Sequence, residues 1–292
     1  FFFAHSSSCS VMVWPVLVCI ALLLKPLVRG FSGEIVFGQS SPFSGVSGDV
    51  GPRLQAGVLA GFKEANDAGG CHGKKLVLHS VDDGYIPTNM PDKAAELLAI
   101  PDMFAFIGFY GSATTAALLP TLIQHQIPDI APLTGSSSFR RQFNPYTIHL
   151  RAGYDDESLT MLNFLISEKV VGRIALLYQN DTFGAPAKEG IVSALEELGM
   201  KLVCLQSYSV VDDDVASHNF TRTAEKFLAH SPQAVILYAV GTWVTATIAE
   251  MKRLAEDQGI TYITGSWMGL TLSSRLKASR IDPKGVYVMQ TF

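Results

Sequence analysis

Short apolar runs separated by longer amphipathic segments dominate the chain from Glu34 to its end. Runs of this length that are rich in Val, Ile, Tyr and Phe and bounded by Gly, Pro or Asp predict β-strands. The predicted strands are Glu34–Gln39, Lys75–Val81, Phe104–Gly108, Ile127–Ile130, Tyr146–His149, Arg173–Tyr178, Lys201–Tyr208, Ala234–Tyr238, Thr261–Thr264 and Val286–Met289.

The intervening segments carry apolar residues at helical spacing. In one of them Ile191, Ala194, Leu195 and Leu198 form a single stripe, and Gly199 follows as a left-handed cap. The predicted helices are Pro52–Ala68, Pro91–Ile100, Ala113–His125, Asp156–Lys169, Ala185–Leu198, Val215–Ala229, Val244–Gln258 and Leu270–Lys277. Strands and helices that alternate in this way predict parallel sheets with helices on both faces, a doubly wound α/β fold.

The first 32 residues have a different pattern. Val11–Leu24 is an apolar run followed by Lys25, Arg29 and the small residues around Gly33. The run is shorter than the ~20 residues that a membrane-spanning helix needs, which favours a secretory signal peptide. A retained signal anchor is the alternative interpretation.

Composition narrows the class of protein. The chain has 292 residues, 48% of them hydrophobic and 16% charged, and a formal net charge of -4. This is enough apolar material for about two domains, and it includes no basic block of the kind that binds nucleic acid.

Cysteines contribute little to the predicted fold. Beyond the N-terminal segment only Cys71 and Cys204 remain, and they fall in different predicted halves, so we expect no bridge between them. The Asn-x-Thr sequons at Asn180 and Asn219 are compatible with a secretory route.

Two predicted strand-to-helix loops carry small hydroxylated residues. Gly111-Ser112-Ala113-Thr114-Thr115 follows one strand, and Thr134-Gly135-Ser136-Ser137-Ser138 follows the next. The carboxyl ends of neighbouring parallel strands meet at one sheet edge, so we expect the two loops to converge there. Ser112 is placed to cap its helix, and the same geometry lets its hydroxyl and the free first-turn amides hold an anion.

Motifs of catalysis or cofactor binding are not found in the sequence. The glycine-rich stretch from Ser40 to Gly51 has neither the dinucleotide fingerprint nor a Gly-Lys-Ser/Thr phosphate loop. The adjacent Asp82 and Asp83 have no further acid or histidine at metal-ligand spacing, and Asp212 to Asp214 are expected to decorate a helix start. The sequence therefore predicts a non-enzymatic protein without a metal or cofactor, with a secreted α/β enzyme as a remote alternative.

The order of several motifs resembles that in substrate-binding proteins of branched-chain amino-acid ABC transporters, which are type I periplasmic binding proteins. The motifs are Asn66-Asp67-Ala68-Gly69-Gly70, Asp82-Asp83-Gly84-Tyr85, Ala131-Pro132-Leu133-Thr134-Gly135, Arg151-Ala152-Gly153-Tyr154, Tyr178-Gln179-Asn180-Asp181-Thr182-Phe183-Gly184 and Gly285-Val286-Tyr287-Val288. Together they extend the resemblance over nearly all of Glu34 to Phe292.

The resemblance implies two Rossmann-like lobes that close on a small ligand. Its order places a signal peptide or anchor at 1–32, lobe 1 at 33–149, lobe 2 at 150–284 and the start of a return crossing to lobe 1 at 285–292. Members of this family continue further, so the chain is expected to be a fragment truncated at its C-terminal end.

The resemblance also implies ligand-binding residues. Ser112, Ala113 and Thr114 match one loop that binds a ligand carboxylate, and Leu133, Thr134 and Gly135 match a second loop. Phe183 and Trp243 match positions where lobe 2 supplies rings that cover the ligand, and Tyr154 lies just after the first crossing between the lobes.

One position departs from the branched-chain binders. They carry an acidic residue after the strand that here ends at Thr264, where it pairs with the ligand ammonium, but this sequence has Gly265-Ser266-Trp267-Met268. Either Asp181 or Glu157 substitutes for that acid, or the ligand is an acid without an amine.

The resulting functional prediction is extracytoplasmic capture of a small polar, carboxylate-bearing ligand between the lobes. One role is that of a solute-binding protein that serves an ABC permease. The alternative is the ligand-binding region of a membrane receptor, such as a nucleotide cyclase, which acts through its own transmembrane and cytoplasmic domains.

Overall fold

Ten strands and eight α-helices make up the part of the chain that a computed structural model describes, residues 33–141, 143–169, 171–255 and 258–290. The strands are β1 (Glu34–Ser41), β2 (Lys75–Asp82), β3 (Met103–Ile107), β4 (Asp129–Ile130), β5 (Thr147–Ile148), β6 (Ile174–Gln179), β7 (Cys204–Tyr208), β8 (Ala234–Tyr238), β9 (Thr261–Thr264) and β10 (Val286–Val288). The helices are α1 (Gly51–Asp67), α2 (Met90–Leu98), α3 (Ser112–His125), α4 (Tyr154–Asn163), α5 (Gly184–Glu197), α6 (Phe220–Leu228), α7 (Gly241–Ala255) and α8 (Leu272–Ala278).

The strands form two separate five-stranded sheets. The first has the order β2-β1-β3-β4-β5 and the second the order β10-β9-β8-β6-β7, and every neighbouring pair is parallel. Each sheet with its flanking helices is a lobe, which confirms the predicted two-lobed α/β fold.

Burial of the central strands explains the continuous apolar runs in the sequence. All five residues of β8 are buried, as are five of the six in β6, because helices cover both faces of the parallel sheet. Helix α5 contributes Ile191 and Leu195 to this core. Leu198 of the predicted stripe is 59% exposed, because the helix ends before it and Gly199 takes the predicted left-handed conformation.

Helix α6 begins later than the sequence predicts. The apolar pattern predicts a helix from Val215, but the helix begins at Phe220, where the Asn219 side chain accepts a hydrogen bond from the backbone N–H of Arg222 at 2.9 Å. The aspartates at 212–214 therefore do not decorate the helix start. They lie in the preceding turn, where Asp213 accepts from the Ser209 N–H at 2.7 Å.

The second sheet extends beyond the predicted end of lobe 2 at residue 284. Val286–Val288 pairs with β9 as the edge strand β10, so the first residues of the predicted return crossing belong to this sheet. The crossing itself remains a prediction, and the predicted signal segment at 1–32 lies outside the described residues. Among the described helices, none has both the length and the apolar character required to cross a bilayer.

Cys71 is exposed and Cys204 is half-buried, and neither forms a disulfide in the described part of the chain. Cys71 precedes β2 in the first lobe and Cys204 begins β7 in the second, so the two thiols lie in different lobes.

Asp129 in β4 is a buried carboxyl in lobe 1 whose effect on stability can be measured. Burial raises the pKa of this fully buried carboxyl well above its usual value. The folded state thus holds the proton at pH values where the unfolded chain has released it, and the contribution of Asp129 to stability falls as the pH rises above about 4. We expect Asp129→Asn to raise the free energy of unfolding by about 1–3 kcal/mol at pH 7.5 and by less at pH 4.

Chemical denaturation at the two pH values measures this difference. Asp92→Asn, at an exposed position in the first turn of α2, is the matched control. Its carboxylate favours the helix N-terminus, so this variant should lose a few tenths of a kcal/mol at pH 7.5. A stability gain for Asp129→Asn that did not depend on pH would contradict the assignment.

Candidate functional site

The carboxyl ends of β3 and β4 bring the two hydroxylated loops together. The Ser112 Oγ and Thr134 Oγ1 atoms lie 2.7 Å apart, and both residues are fully buried. Thr134 Oγ1 also accepts a hydrogen bond from the Ser136 N–H at 3.1 Å, which fixes the second loop around it. The predicted convergence of the two loops is therefore confirmed.

Ser112 does not cap its helix, contrary to the prediction from the sequence. Gly111 is the N-cap, with a φ of 99° that favours glycine, and Ser112 is the first helical residue. The first hydrogen bond of α3 runs from the Thr115 N–H to the Gly111 carbonyl at 3.1 Å, so the amides of Ser112, Ala113 and Thr114 precede the helical ladder. The positive end of the helix thus lies beside the Ser112 hydroxyl.

The hydroxyl of Thr114 is directed elsewhere. It donates to the carbonyl oxygens of Tyr110 and Gly111, within its own turn. Since a threonine hydroxyl has one proton to donate, this arrangement leaves Thr114 only its backbone amide for an anion. Sequence spacing does not reveal which way such a hydroxyl turns.

Leu133 and Gly135 shape the second loop through their backbones. The Leu133 N–H donates to the Phe109 carbonyl at 2.6 Å, and the Gly135 carbonyl accepts from the Tyr154 N–H at 2.7 Å. A Cβ atom on Gly135 would lie 2.7 Å from Cδ1 of Tyr154, so this close approach of the ring requires glycine.

Four aromatic rings pack together directly beyond the hydroxyl pair. Tyr154 contacts Phe183, Tyr238 and Trp267 with ring centroids 5.4, 5.8 and 5.2 Å apart, and Tyr238 and Trp267 are 4.3 Å apart. Burial raises the pKa of the Tyr154 phenol, and the nearby Arg151 guanidinium lowers it in part. The structure therefore joins Tyr154 and Phe183, both predicted, to the hydroxylated loops.

Trp243 does not belong to this aromatic cluster. Its ring, in the first turn of α7, stacks on Tyr208 at a centroid distance of 4.0 Å. It also contacts His218 and Phe220 at the start of α6. The ring in the cluster is that of Trp267, whose Nε1 donates to the Ala239 carbonyl at 2.8 Å. In the sequence, Trp267 lies shortly after the predicted strand that ends at Thr264. This position could have indicated a ring at the site, but the segment was distinguished only by the absence of an acid.

A buried ion pair lies beside the aromatic cluster. Arg151 Nη2 donates to Glu157 Oε2 at 2.8 Å and to Ser266 Oγ at 3.0 Å, and the two charged side chains are 8% and 3% exposed. The backbone N–H of Ser266 donates to the other carboxylate oxygen of Glu157, and the Arg151 guanidinium lies 4.6 Å from the Tyr154 ring centroid. The pair connects the first crossing between the lobes to the loop after β9.

Asp181, the other predicted substitute acid, lies in the turn just before helix α5. Its Oδ1 accepts from the Phe183 N–H at 2.8 Å and its Oδ2 from Gln179 Nε2 at 2.5 Å. Gln179 also donates to the Tyr85 hydroxyl at 3.2 Å and accepts from the Tyr208 hydroxyl at 2.9 Å. Burial raises the pKa of Asp181, so its ionised form is disfavoured.

The two lobes are in contact around the site. Arg275 of α8 pairs with Asp49 of the first lobe, with Nε and Oδ2 3.0 Å apart, and its guanidinium donates to the Val46 carbonyl at 2.9 Å. Ser136 Oγ donates across the same boundary to the Thr182 carbonyl at 2.7 Å. The hydroxyl pair is fully buried in this arrangement of the lobes.

Comparison with known proteins identifies the class. The family model described as "Periplasmic binding protein" matches residues 34–292, and the chain therefore belongs to that family of solute-binding proteins. Among the described residues, no group of three or more His, Cys, Asp or Glu side chains could hold a metal ion.

Relatives of two kinds are similar in sequence. A Leu/Ile/Val-binding protein homolog 1 of Brucella abortus is 24% identical over 185 residues, which cover 63% of this chain and 49% of that protein. A receptor-type adenylate cyclase of Trypanosoma brucei brucei is 24% identical over 213 residues, 72% of this chain and 17% of that protein. The chain thus spans about half the length of the binding-protein relative.

Solved structures share the fold. A substrate-binding periplasmic protein from Ralstonia solanacearum superposes with a TM-score of 0.73 at 24% identity, covering 84% of this chain and 66% of that chain. An ABC-transporter solute-binding protein of R. palustris in complex with benzoate has a TM-score of 0.70 at 16% identity, with 82% and 63% covered.

Gly265 allows the ring of Trp267 to lie over the loop after β9. A Cβ atom on this glycine would lie 2.0 Å from the Trp267 ring, which is 3% exposed and has no room to retreat. We expect Gly265→Ala to lower the free energy of unfolding by about 1–3 kcal/mol because the cluster must repack.

Gly190→Ala is the matched control, since Gly190 lies within α5 and an added Cβ meets nothing within 4 Å. That variant should be unchanged or gain about 0.5–1 kcal/mol. Thermal or urea unfolding compares the two, and equal stability of both variants would show that the Trp267 packing is wrongly described.

Proposed function

We propose that the chain captures a small carboxylate-bearing ligand between its two lobes. The observation that carries the proposal is the 2.7 Å contact between the Ser112 and Thr134 hydroxyls at the start of α3. In this pair one hydroxyl donates to the other, so one hydroxyl proton remains for a ligand. That donor and the amides of a helix N-terminus are suited to an anion, and there they would bind the carboxylate oxygens.

The second lobe supplies the opposite wall of the proposed site. Phe183, Tyr238 and Trp267 lie at the carboxyl ends of the second sheet and meet Tyr154 at the crossing between the lobes. Such rings would cover the apolar body of the ligand, while the first lobe holds its charged end. The R. palustris protein of the same fold is in complex with benzoate, an aromatic carboxylate, which supports this chemistry.

Two biological roles are compatible with capture of such a ligand. The Leu/Ile/Val-binding relative supports a solute-binding protein that delivers its ligand to an ABC permease. The receptor-type adenylate cyclase relative, matched over 72% of this chain, supports the ligand-binding region of a membrane receptor. Both roles imply an extracytoplasmic location, and reading the coding sequence past Phe292 for a membrane span and a cytoplasmic domain distinguishes them.

Removing the Ser112 hydroxyl tests the anion site. We expect Ser112→Ala to weaken binding of a carboxylate ligand about tenfold, since one hydrogen bond to a charged group is lost, and Thr134→Val to have a similar effect. Isothermal titration calorimetry against a panel of small carboxylic and amino acids measures the change.

Ser193→Ala on the exposed face of α5 is the matched control and should bind as wild type does. The proposal fails if no acid in the panel gives heat with wild type, or if Ser112→Ala binds as tightly as Ser193→Ala.

The Asp49–Arg275 pair tests the dependence of binding on closure. Arg275→Gln removes a contact that exists only when the lobes are together, so the closed state loses population and the apparent affinity should fall about threefold to tenfold. Added salt should weaken binding more in wild type than in this variant. Lys277→Gln removes the same charge from an exposed position of α8 and should change neither quantity.

A further inference from the structure

We propose that the cleft selects carboxylic acids that lack an α-ammonium group, and that the Arg151–Glu157 pair is what determines this specificity. The inference rests on the proposed capture of a carboxylate by Ser112 and Thr134, and it concerns the other end of the ligand. An α-amino acid carries a positive charge next to its carboxylate, and that charge needs an ionised acid when it is removed from water.

Glu157 is an acidic side chain beside the aromatic cluster, and its charge is already compensated. One carboxylate oxygen accepts from Arg151 Nη2 at 2.8 Å and from Ser266 Oγ at 3.3 Å, and the other accepts from the Ser266 N–H. Withdrawing Glu157 from Arg151 would leave a buried guanidinium without a counterion, which is strongly unfavourable.

Asp181 and Asp49, two further acids at the lobe boundary, are also engaged. Both oxygens of Asp181 accept hydrogen bonds, from the Phe183 N–H and from Gln179, and its burial disfavours the ionised form. Asp49 is paired with Arg275. A ligand ammonium would therefore meet no uncommitted carboxylate among these described residues.

Aromatic faces can also bind cations, and Tyr154 illustrates why that does not favour an amine here. The Arg151 guanidinium lies 4.6 Å from the Tyr154 ring centroid and is the cation that this ring holds. Phe183, Tyr238 and Trp267 meet edge to face or at a tilt, the packing of an apolar wall. The cluster thus suits an uncharged aryl or branched alkyl body.

Titration calorimetry on the purified chain with matched ligand pairs tests the inference. The pairs are 3-phenylpropanoate with L-phenylalanine and 4-methylpentanoate with L-leucine, whose members differ only by the amine. We expect the acid without the amine to bind about tenfold more tightly or better in at least one pair.

Three outcomes separate the hypotheses. Tighter binding of the amino acid, lost in Ser112→Ala, overturns this inference and leaves the proposed function in place. Absence of heat with every ligand removes the proposed function and this inference with it. Preference for the deaminated acid, also lost in Ser112→Ala, supports both.

A variant then tests the assigned pair. Arg151→Gln frees the Glu157 carboxylate, and the ratio of the two dissociation constants within a pair should shift by about tenfold toward the amino acid. Arg222→Gln, at an exposed position on α6, should leave the ratio unchanged. An unchanged ratio in Arg151→Gln contradicts the assignment, and if that variant does not fold, the wild-type ligand pairs still decide the selectivity.

Discussion

The hydrogen bond between Ser112 and Thr134 depends on a single constraint of parallel sheets, that all carboxyl ends lie at one edge. Strands β3 and β4 are neighbours, so the loops that follow them must approach each other, and Gly111 in a left-handed conformation starts α3 with its amides at that point. The rest of the site is arranged around this pair. The second sheet has the same polarity, and its own loops present Phe183 and Trp267 to the same boundary.

Hydrogen bonds and an ion pair join the two lobes, whereas the aromatic cluster lies inside the second lobe. The polar contacts, Asp49 with Arg275 and Ser136 with the Thr182 carbonyl, can exchange with water when the lobes separate, so their net contribution is small. The aromatic contacts around Tyr154 join residues of the second lobe to one another, so they persist when the lobes separate. The Tyr154 ring reaches the first lobe at Gly135, where it packs against the backbone of the second hydroxylated loop.

The sequence was sufficient to predict the fold and the convergence of the two hydroxylated loops at the candidate site, for identifiable reasons. Strand positions followed from apolar runs that burial on both faces demands, and Ser112 with Thr134 followed from the position of their loops. The sequence could not show which tryptophan, Trp243 or Trp267, belongs to the aromatic cluster, because both follow strands. Only the packing shows that the Trp243 ring stacks on Tyr208 instead. The start of α6 was missed because Val215 continues the apolar pattern, whereas the Asn219 cap determines where the helix begins.

The ion pair between Arg151 and Glu157 shows why residue type alone did not define the ligand. From the sequence, Glu157 is an acid able to pair with a ligand ammonium. In the fold Glu157 lies on α4 and pairs with Arg151, which precedes that helix by three residues. Trp267 follows Ser266, which donates to the same carboxylate, so the loop that lacks an acid is also the loop that holds Glu157 away from the ligand. The segment without an acid after β9 and the compensated charge of Glu157 thus meet at one residue, Ser266.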